Sequence, residues 1–438
     1  MRAAGKGDEN KMARFYRSDW GRIFLFALAQ AIVIAGVVTA TSQRWAMRQA
    51  ARALPPLREQ AIVLPPLYDC PWMVTEEQLE ATLRKVFPRY RVPEPKINHV
   101  DHALRFWGPD AVFDDPQALS GAEMRDILLN HECFMKVWPT APPYLEQGKE
   151  GLTIRTQEGL STASHMDHSL ASISETGIRR DYPVISPEGP TTFQELFETS
   201  LKEFSLDQME YEWSILAYTL FLPPTTSWIT SEGQEVNFDI LAERLMRETL
   251  PAGVCFGNHR LHSLVTILRV DAEVTPLLRD KTRKLCMRFL TLVCQQLTKS
   301  QHPYGCWDGE WVNGQPSKAS LKKGDSAIFD DTLRDQLVAT GHALEWLAWA
   351  PEEVLPPREV LTRAAQWFVR TIEKMEPDKL RENYAYASHG AHALALWRKT
   401  EPAPFMKTRL KISKVSEAVT AQPPAAPSEH KSPKPEGT

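Results

Sequence analysis

The stretch Asn258-His259-Arg260-Leu261-His262-Ser263-Leu264 is one copy of a short pattern, Asn/Ser-His-x-x-His-Ala/Ser-Leu, that recurs along the chain. Two His residues three positions apart lie on one face of a helix. Asn or Ser just before them is a typical helix N-cap, so each copy predicts the first turns of a helix. The remaining full and partial copies occupy residues 98–104, 130–134, 164–170, 340–344 and 388–394.

The residues that follow each pair of His continue at helical spacing. After His262 the apolar positions are Leu264, Val265 and Leu268, which give the helix one buried face. Internal similarity of this kind predicts a repeat architecture, here helical hairpins with one inner and one outer helix each. We therefore expect an all-α fold in which the His-bearing ends of the inner helices converge on one mouth.

The rest of the chain also predicts helices, and no stretch of useful length alternates as a β-strand does. The first is Glu76–Val86, with Thr75 as its cap. The other predicted helices are 191–204, 205–222, 238–248, 276–300, 331–350, 357–375 and 388–398.

An apolar run near the N-terminus predicts a membrane anchor. Ile23 to Thr41 is interrupted only by Gln30, and at 1.5 Å per residue it reaches about 28 Å, enough to cross a bilayer core. No Ala-x-Ala cleavage site follows, which favours an uncleaved signal-anchor. More Lys and Arg lie before the run than after it, which favours a cytoplasmic N-terminus and an extracytoplasmic main domain.

These features divide the chain into five segments. Residues 1–20 are the cytoplasmic N-terminus, 21–42 the single transmembrane anchor, and 43–75 a Pro-rich linker. Residues 76–400 form the helical domain, and 401–438 form a Pro/Ala/Lys tail predicted to be disordered. The net charge of −4 gives no reason to expect nucleic acid as a partner. Six Cys without a CxxC pair give neither a zinc signature nor a dense disulfide framework.

One segment carries a family resemblance. Gln301-His302-Pro303-Tyr304-Gly305-Cys306-Trp307, which follows a predicted outer helix, is similar to the QW motif of terpenoid cyclases. Together with the alternation of inner and outer helices, it resembles the α/α toroid that terpenoid cyclases share with protein prenyltransferases. The resemblance implies that the Gln caps a helix while the Trp stacks on the neighbouring repeat. It implies the fold over roughly residues 76–400 and does not transfer a function.

The chemistry of those families is matched only in part. Class II cyclases carry an Asp-x-Asp-Asp-Thr box whose middle Asp is the proton donor, and the matching stretch here is Ile328-Phe329-Asp330-Asp331-Thr332. Asp330 aligns with the acid, but Ile328 replaces the first Asp. Asp331 or Thr332 is better explained as the cap of the helix that leads to His342. Neither an Asp-Asp-x-x-Asp metal box nor a prenyltransferase zinc triad at the family spacing is present.

The His array is the candidate ligand-binding site. Three interpretations stay open: structural hydrogen bonding between repeats, a ligand pocket without metal, and a divalent metal site that would need a third ligand from another helix. Asp101 and Asp167 each precede a second His and could act as ligands or as partners of ligands. The His positions concerned are His99, His102, His165, His168, His259, His262, His342, His389 and His392.

A catalytic site is not defined by the sequence. The carboxylates that could serve are Asp330, Asp331, Glu345, Asp308 and Glu310, the last two lying between Trp307 and Trp311 as in carbohydrate sites or in a simple turn. The cofactor is unknown. The prediction is a membrane-anchored binding or scaffold module whose His- and aromatic-lined cavity takes an unknown ligand or polypeptide partner. The alternative is an enzyme acting on a lipid or a glycan.

Overall fold

The computed structural model describes residues 19–50, 53–91, 95–156, 159–224, 227–247, 254–315 and 331–409. Within these residues the chain is mostly helical, with few short strands, and it begins with one apolar helix. That helix, α1 (Asp19–Ala50), is long and apolar enough to cross a membrane. Its apolar side chains from Ile23 to Val38 are exposed, and the helix contacts the domain at the strand Trp228–Ile229.

The remaining helices follow in two groups along the chain. The first group is α2 (Glu76–Lys85), α3 (Ile97–Trp107), α4 (Gly121–Leu129), α5 (His131–Val137), α6 (His168–Glu175), α7 (Phe193–Glu203) and α8 (Tyr211–Phe221). The second is α9 (Phe238–Arg247), α10 (Asn258–Glu273), α11 (Asp280–Ser300), α12 (Asp331–Trp349), α13 (Arg358–Lys374), α14 (Pro377–Glu382) and α15 (Tyr384–Leu396).

Three antiparallel hairpins interrupt the helices, although the sequence predicts no strands. They pair β1 (Leu145–Gln147) with β2 (Leu152–Ile154), β3 (Pro183–Ser186) with β4 (Gly189–Thr192), and β5 (Trp228–Ile229) with β6 (Glu235–Val236). Each strand is too short to show an alternating pattern in the sequence. All three hairpins lie in connections between helices.

Six helices contact one another in cyclic order. α3 contacts α6, α6 contacts α8, and α8 contacts α10, while α10 contacts α12, α12 contacts α15, and α15 returns to α3. Other helices pack outside these six: α2 and α13 contact each other and α15, and α9 and α11 contact each other and α10. The alternation of inner and outer helices therefore follows the order of the chain.

Burial separates the inner helices from the outer ones. Every residue of α8 is buried, and α10 is buried continuously from Asn258 to Asp271. A helix that is covered on all sides belongs in a core, whereas one with a single apolar stripe lies at the surface. α13 is of the second kind, because Val360, Leu361 and Ala364 are buried while its opposite face is exposed.

The capping role predicted for the repeat is confirmed at Asn130, whose side chain accepts from the Glu132 and Cys133 N–H groups at the start of α5. It is wrong for Asn98, Ser164, Asn258 and Ser388. α3 has Lys96 as its N-cap, α10 has Gly257, and α15 begins at Tyr384, well before Ser388. Asn258 lies inside α10, where its side chain donates to the Cys255 carbonyl and accepts from the Trp346 indole. By contrast, Thr75 caps α2 as predicted, with a complete capping box.

Two predicted boundaries also change. The stretch predicted as a linker packs on the domain, since the Ala61 N–H donates to the Ile178 carbonyl and the Ile62 N–H to the Leu220 carbonyl. At the other end, residues 402–409 are helical rather than part of a disordered tail, and Met406 is buried. Short apolar stretches beside prolines explain both cases, because they bury surface but are too short to show a periodic pattern. Residues 410–438 lie outside the described part.

Candidate functional site: a buried histidine cluster

The inner helices bring their His side chains together at the centre of the domain. The rings of His342 and His389 stack with centroids 3.7 Å apart, and those of His102 and His168 with centroids 4.7 Å apart. His259 lies 4.8 Å from His342, measured between ring centroids. All five side chains are buried. The repeat therefore converges in space.

Arg105 on α3 connects this cluster to two carboxylates. Its Nε lies 2.5 Å from a carboxylate oxygen of Glu175 on α6, and its Nη1 lies 2.8 Å from Glu345 on α12. Its guanidinium is also 3.3 Å from ring nitrogens of both His262 and His389. One side chain thus contacts four other inner helices. Burial alone would lower the pKa of Arg105, but the two carboxylates raise it.

Glu345 binds three partners in the same network. One oxygen accepts from Arg105 and lies 2.7 Å from Nδ1 of His392, and the other lies 2.6 Å from Nδ1 of His389. Burial opposes the ionised form, but Arg105 and His389 outweigh it and hold the pKa of Glu345 well below its usual range. The carboxylate is therefore ionised and compensated.

The pKa of His392 is raised and that of Glu175 is lowered, in each case because partners of opposite charge outweigh burial. Burial would lower the pKa of His392, but hydrogen bonds to Glu345 and Glu401 raise it to about 9. Burial would raise the pKa of Glu175, but Arg105 and His262 lower it to about 2. The network therefore holds paired cations and anions at neutral pH.

A second network lies on α3 and α6. Nδ1 of His168 is 2.7 Å from an Asp101 oxygen that also accepts from the hydroxyl of Ser169. Tyr144 in turn donates to Ser169 over 2.6 Å. Asp101 thus binds a His of the next repeat and not its sequence neighbour. Asp167, the equivalent residue one repeat later, accepts from Ser200 and Ser214 instead.

The part of the cluster around His259 consists of ring contacts and lacks the hydrogen bonds of the two networks above. Trp213 lies between His168 and His259, with ring centroids 4.3 Å and 4.1 Å away. Neither ring nitrogen of His259 has a hydrogen-bond partner among the described residues, although the side chain is only 5% exposed. Burial, and then the neighbouring His342 and His389, hold the pKa of His259 well below its usual value. Its imidazole is therefore neutral.

His342 and Cys255 lie next to His259. Nδ1 of His342 is 2.7 Å from the Val338 carbonyl, which fixes the proton on Nδ1 and leaves Nε2 as a lone pair. That Nε2 is buried without a partner in the described structure. A ligand atom from each of Cys255, His259 and His342 lies within 4.8 Å of the other two. These are the donor types that divalent transition metals take.

Two predicted His residues lie at the edge of the cluster. His165 is partly exposed, and its Nδ1 is 2.7 Å from a carboxylate oxygen of Glu210. His99 lies between Tyr90 and Tyr384, with ring centroids 5.8 Å and 6.0 Å away. Burial, followed by the nearby Lys96 and Arg381 charges, lowers the pKa of His99 to about 4.

A cavity of about 250 Å³ reaches the charged network from one side. Arg105, Glu175 and His392 line its polar end, and Phe106 and Trp349 are among the residues that line its apolar walls. An apolar pocket with a few convergent polar groups is the usual form of a small-molecule site.

The catalytic candidates do not come together. Glu345 belongs to the buried network, whereas Asp308 accepts from His302 over 2.7 Å and from the Glu310 N–H, which makes it the cap of a short turn. Glu310 is exposed. Asp330 lies outside the described residues, as does the side chain of Asp331, so the proton-donor hypothesis falls outside the described structure.

Sequence reasoning missed Arg105, Glu175 and Cys255. Arg105 follows His102 at helical spacing on the same face, and Glu175 lies two turns after His168. A search for polar residues along the whole inner face, not only within the repeat, would have found both.

A scan against protein-family models, a search of curated proteins and a search of solved structures find no match for this chain.

Proposed function

We propose that the protein is a single-pass, membrane-anchored binding module whose helical domain is an α/α toroid with a small-molecule site at its centre. The cyclic contacts of the six inner helices and the outer position of α2, α9, α11 and α13 support the toroid. Gln301, at the end of α11, supports it too, because its amide donates to the Val360 carbonyl of the next outer helix.

The proposed orientation has the N-terminus in the cytoplasm and the domain outside it, and the excess of Lys and Arg before α1 supports it. A membrane-impermeant maleimide, applied to intact cells, tests this with cysteines placed one at a time. Thr408→Cys should be labelled in intact cells and Lys6→Cys only after lysis, with the parent chain as the background. The reverse pattern would exclude the proposed orientation.

The cavity next to Arg105 is the observation that carries the binding function. Its volume of about 250 Å³ suits a compact molecule, and its walls would cover an apolar body while the polar end binds a head group. His392 lines that end and is the donor whose partner a ligand can replace, because its Nε2 is 3.7 Å from Glu401, a longer and weaker contact than the 2.7 Å bond on its other nitrogen. A ligand head group would replace Glu401 at this nitrogen.

Filling the cavity tests the proposal. Ala403 lines it and is half-buried, so Ala403→Trp should occupy the space, whereas Thr408→Trp on the same helical segment is exposed and serves as the matched control. Binding of benzoate, benzyl alcohol and benzylamine to the full chain in detergent would be followed by saturation-transfer NMR. Binding of at least one probe to the parent and to Thr408→Trp, but not to Ala403→Trp, is expected. Equal binding to all three proteins, or none to the parent, would contradict the cavity site.

The alternative of an enzyme acting on a lipid or a glycan has less support. Both oxygens of Glu345 are bound by Arg105, His389 and His392, and both oxygens of Asp308 are bound as well. A general acid or base needs an atom free to exchange a proton with substrate. Neither carboxylate offers one.

A further inference from the structure

We propose that Cys255, His259 and His342 form a binding site for a divalent transition metal, with Zn²⁺ as the best fit. The site is separate from the cavity beside Arg105 and does not depend on the proposed binding function. It joins the start of α10 to the middle of α12. A ligand atom from each of the three residues lies within 4.8 Å of the other two.

His259 provides the strongest argument. A buried polar group without a hydrogen bond is costly, and native structures rarely keep one. His259 has two such nitrogens among the described residues, with the side chain 5% exposed. A metal ion on one of them would remove the cost of leaving that nitrogen unpaired, because coordination replaces the missing hydrogen bond.

His342 is oriented as a ligand. Metal-binding His residues generally donate the proton of the second ring nitrogen to a carbonyl or a carboxylate, which fixes the ring and leaves the other nitrogen as a lone pair. The bond from Nδ1 of His342 to the Val338 carbonyl does this, and Nε2 stays unpaired among the described residues. His389 has the same arrangement, with Nδ1 on Glu345 and a buried, unpaired Nε2.

Cys255 completes the donor set and limits the choice of metal. A thiolate with two imidazoles suits Zn²⁺ better than Mg²⁺ or Ca²⁺, which prefer oxygen. Donors around tetrahedral Zn²⁺ lie about 3.5 Å apart, so binding would draw the donor atoms together by about 1.3 Å at most. Cys255 is half-buried, unlike the two His. Three protein ligands and one open position describe a site that keeps a water or an exogenous ligand.

Co²⁺ substitution gives a direct test on the full chain in detergent. The protein is stripped with a chelator and titrated with Co²⁺, and the thiolate-to-Co²⁺ charge-transfer band is recorded; Zn²⁺ should then displace Co²⁺ and abolish the band. We expect one metal ion per chain. His259→Ala should lower the affinity by more than about 100-fold, beyond the range typical of partners that only orient a ligand.

Two variants separate ligation from loss of folding. His99→Ala removes the equivalent first His of another repeat copy, buried between two Tyr rings, and should keep full metal binding. Cys255→Ser should lose the charge-transfer band while circular dichroism stays unchanged. The proposal is overturned if the folded parent binds no Co²⁺ or Zn²⁺, if His259→Ala binds as the parent does, or if Cys255→Ser keeps the band.

Discussion

Nδ1 of His389 lies 2.6 Å from one oxygen of Glu345, on a neighbouring helix of the inner group. The other oxygen binds Arg105 and His392. A single buried carboxylate therefore connects α3, α12 and α15. Because Arg105 and His392 are both cations at neutral pH, the carboxylate also supplies the negative charge that makes their burial possible.

Replacing Glu345 by Ala should lower the free energy of unfolding of the domain. The substitution leaves Arg105 and His392 without this anion in a buried site, and breaking a buried pair in this way typically costs about 3–5 kcal/mol. Thermal unfolding of the full chain in detergent, followed by circular dichroism, measures the effect. Glu353→Ala, on an exposed turn after α12, is the control and should be neutral. A Glu345→Ala protein as stable as this control would show that the network carries little stability.

Stability on the alkaline side should depend on His392. Its pKa is about 9 in the folded protein, above the ordinary value of 6.5, because Glu345 and Glu401 stabilise the protonated ring. Glu345 also binds Arg105. The folded state binds the proton more tightly, so the contribution is complete below pH 6.5 and is lost as pH rises through 9. The difference corresponds to about 3 kcal/mol.

Denaturant unfolding between pH 6 and 10 gives the measurement. His392→Gln should be less stable than the parent at pH 6 and should show a flatter decline towards pH 10. His131→Gln, outside the cluster, should keep the parent slope. An unchanged slope in His392→Gln would mean that another group causes the alkaline loss.

Stability on the acid side should depend in part on His99. Burial, with the charges of Lys96 and Arg381, lowers its pKa to about 4, below the ordinary 6.5. Here the unfolded chain binds the proton more tightly, so stability is lost as pH falls from 6.5 towards 4, by up to about 3 kcal/mol. His99→Gln should flatten the curve in that window when unfolding is followed by denaturant titration. The opposite result, a steeper acid loss, would contradict a neutral His99.

The sequence predicts much of the fold because helical periodicity is a local signal. The bounds of α2 and α12 and the start of α10 agree with the prediction within a few residues. The His rings of the repeat do contact one another, but in the buried centre of the domain and not at a mouth formed by helix ends. The toroid itself stays a prediction, since contacts between distant helices are not written in local periodicity. The cap predicted at Asn258 was wrong because tertiary bonds compete for the Asn side chain, which accepts from the Trp346 indole, whereas Asn130 does cap α5.

The site was only half predictable. The repeat identified the His residues, but nothing in it distinguishes His259, whose nitrogens are unpaired among the described residues, from His102, whose Nδ1 lies 2.7 Å from the Asn98 carbonyl. The His102 bond lies within its own helix, and the repeat does not show which ring is rotated to make such a bond. Cys255 precedes the repeat and has no Cys partner nearby in the sequence, so a search for paired Cys overlooks it.

Two glycines within the His repeat allow α15 to lie close to its neighbours, Gly390 against α13 and Gly341 at the contact between α12 and α15. A Cβ on Gly390 would overlap the ring of Phe368 on α13, and one on Gly341 would lie 3.0 Å from the Gly390 nitrogen. Gly390→Ala should therefore destabilise the domain by about 1–3 kcal/mol, the usual cost of overpacking, although Ala is the better helix former. The melting temperature of the full chain in detergent measures this. Phe368→Leu should restore part of the loss in the double variant, because the smaller side chain makes room for the methyl group. If the two substitutions are simply additive, Phe368 is not the obstacle, and the cause must be sought in the backbone contact with Gly341.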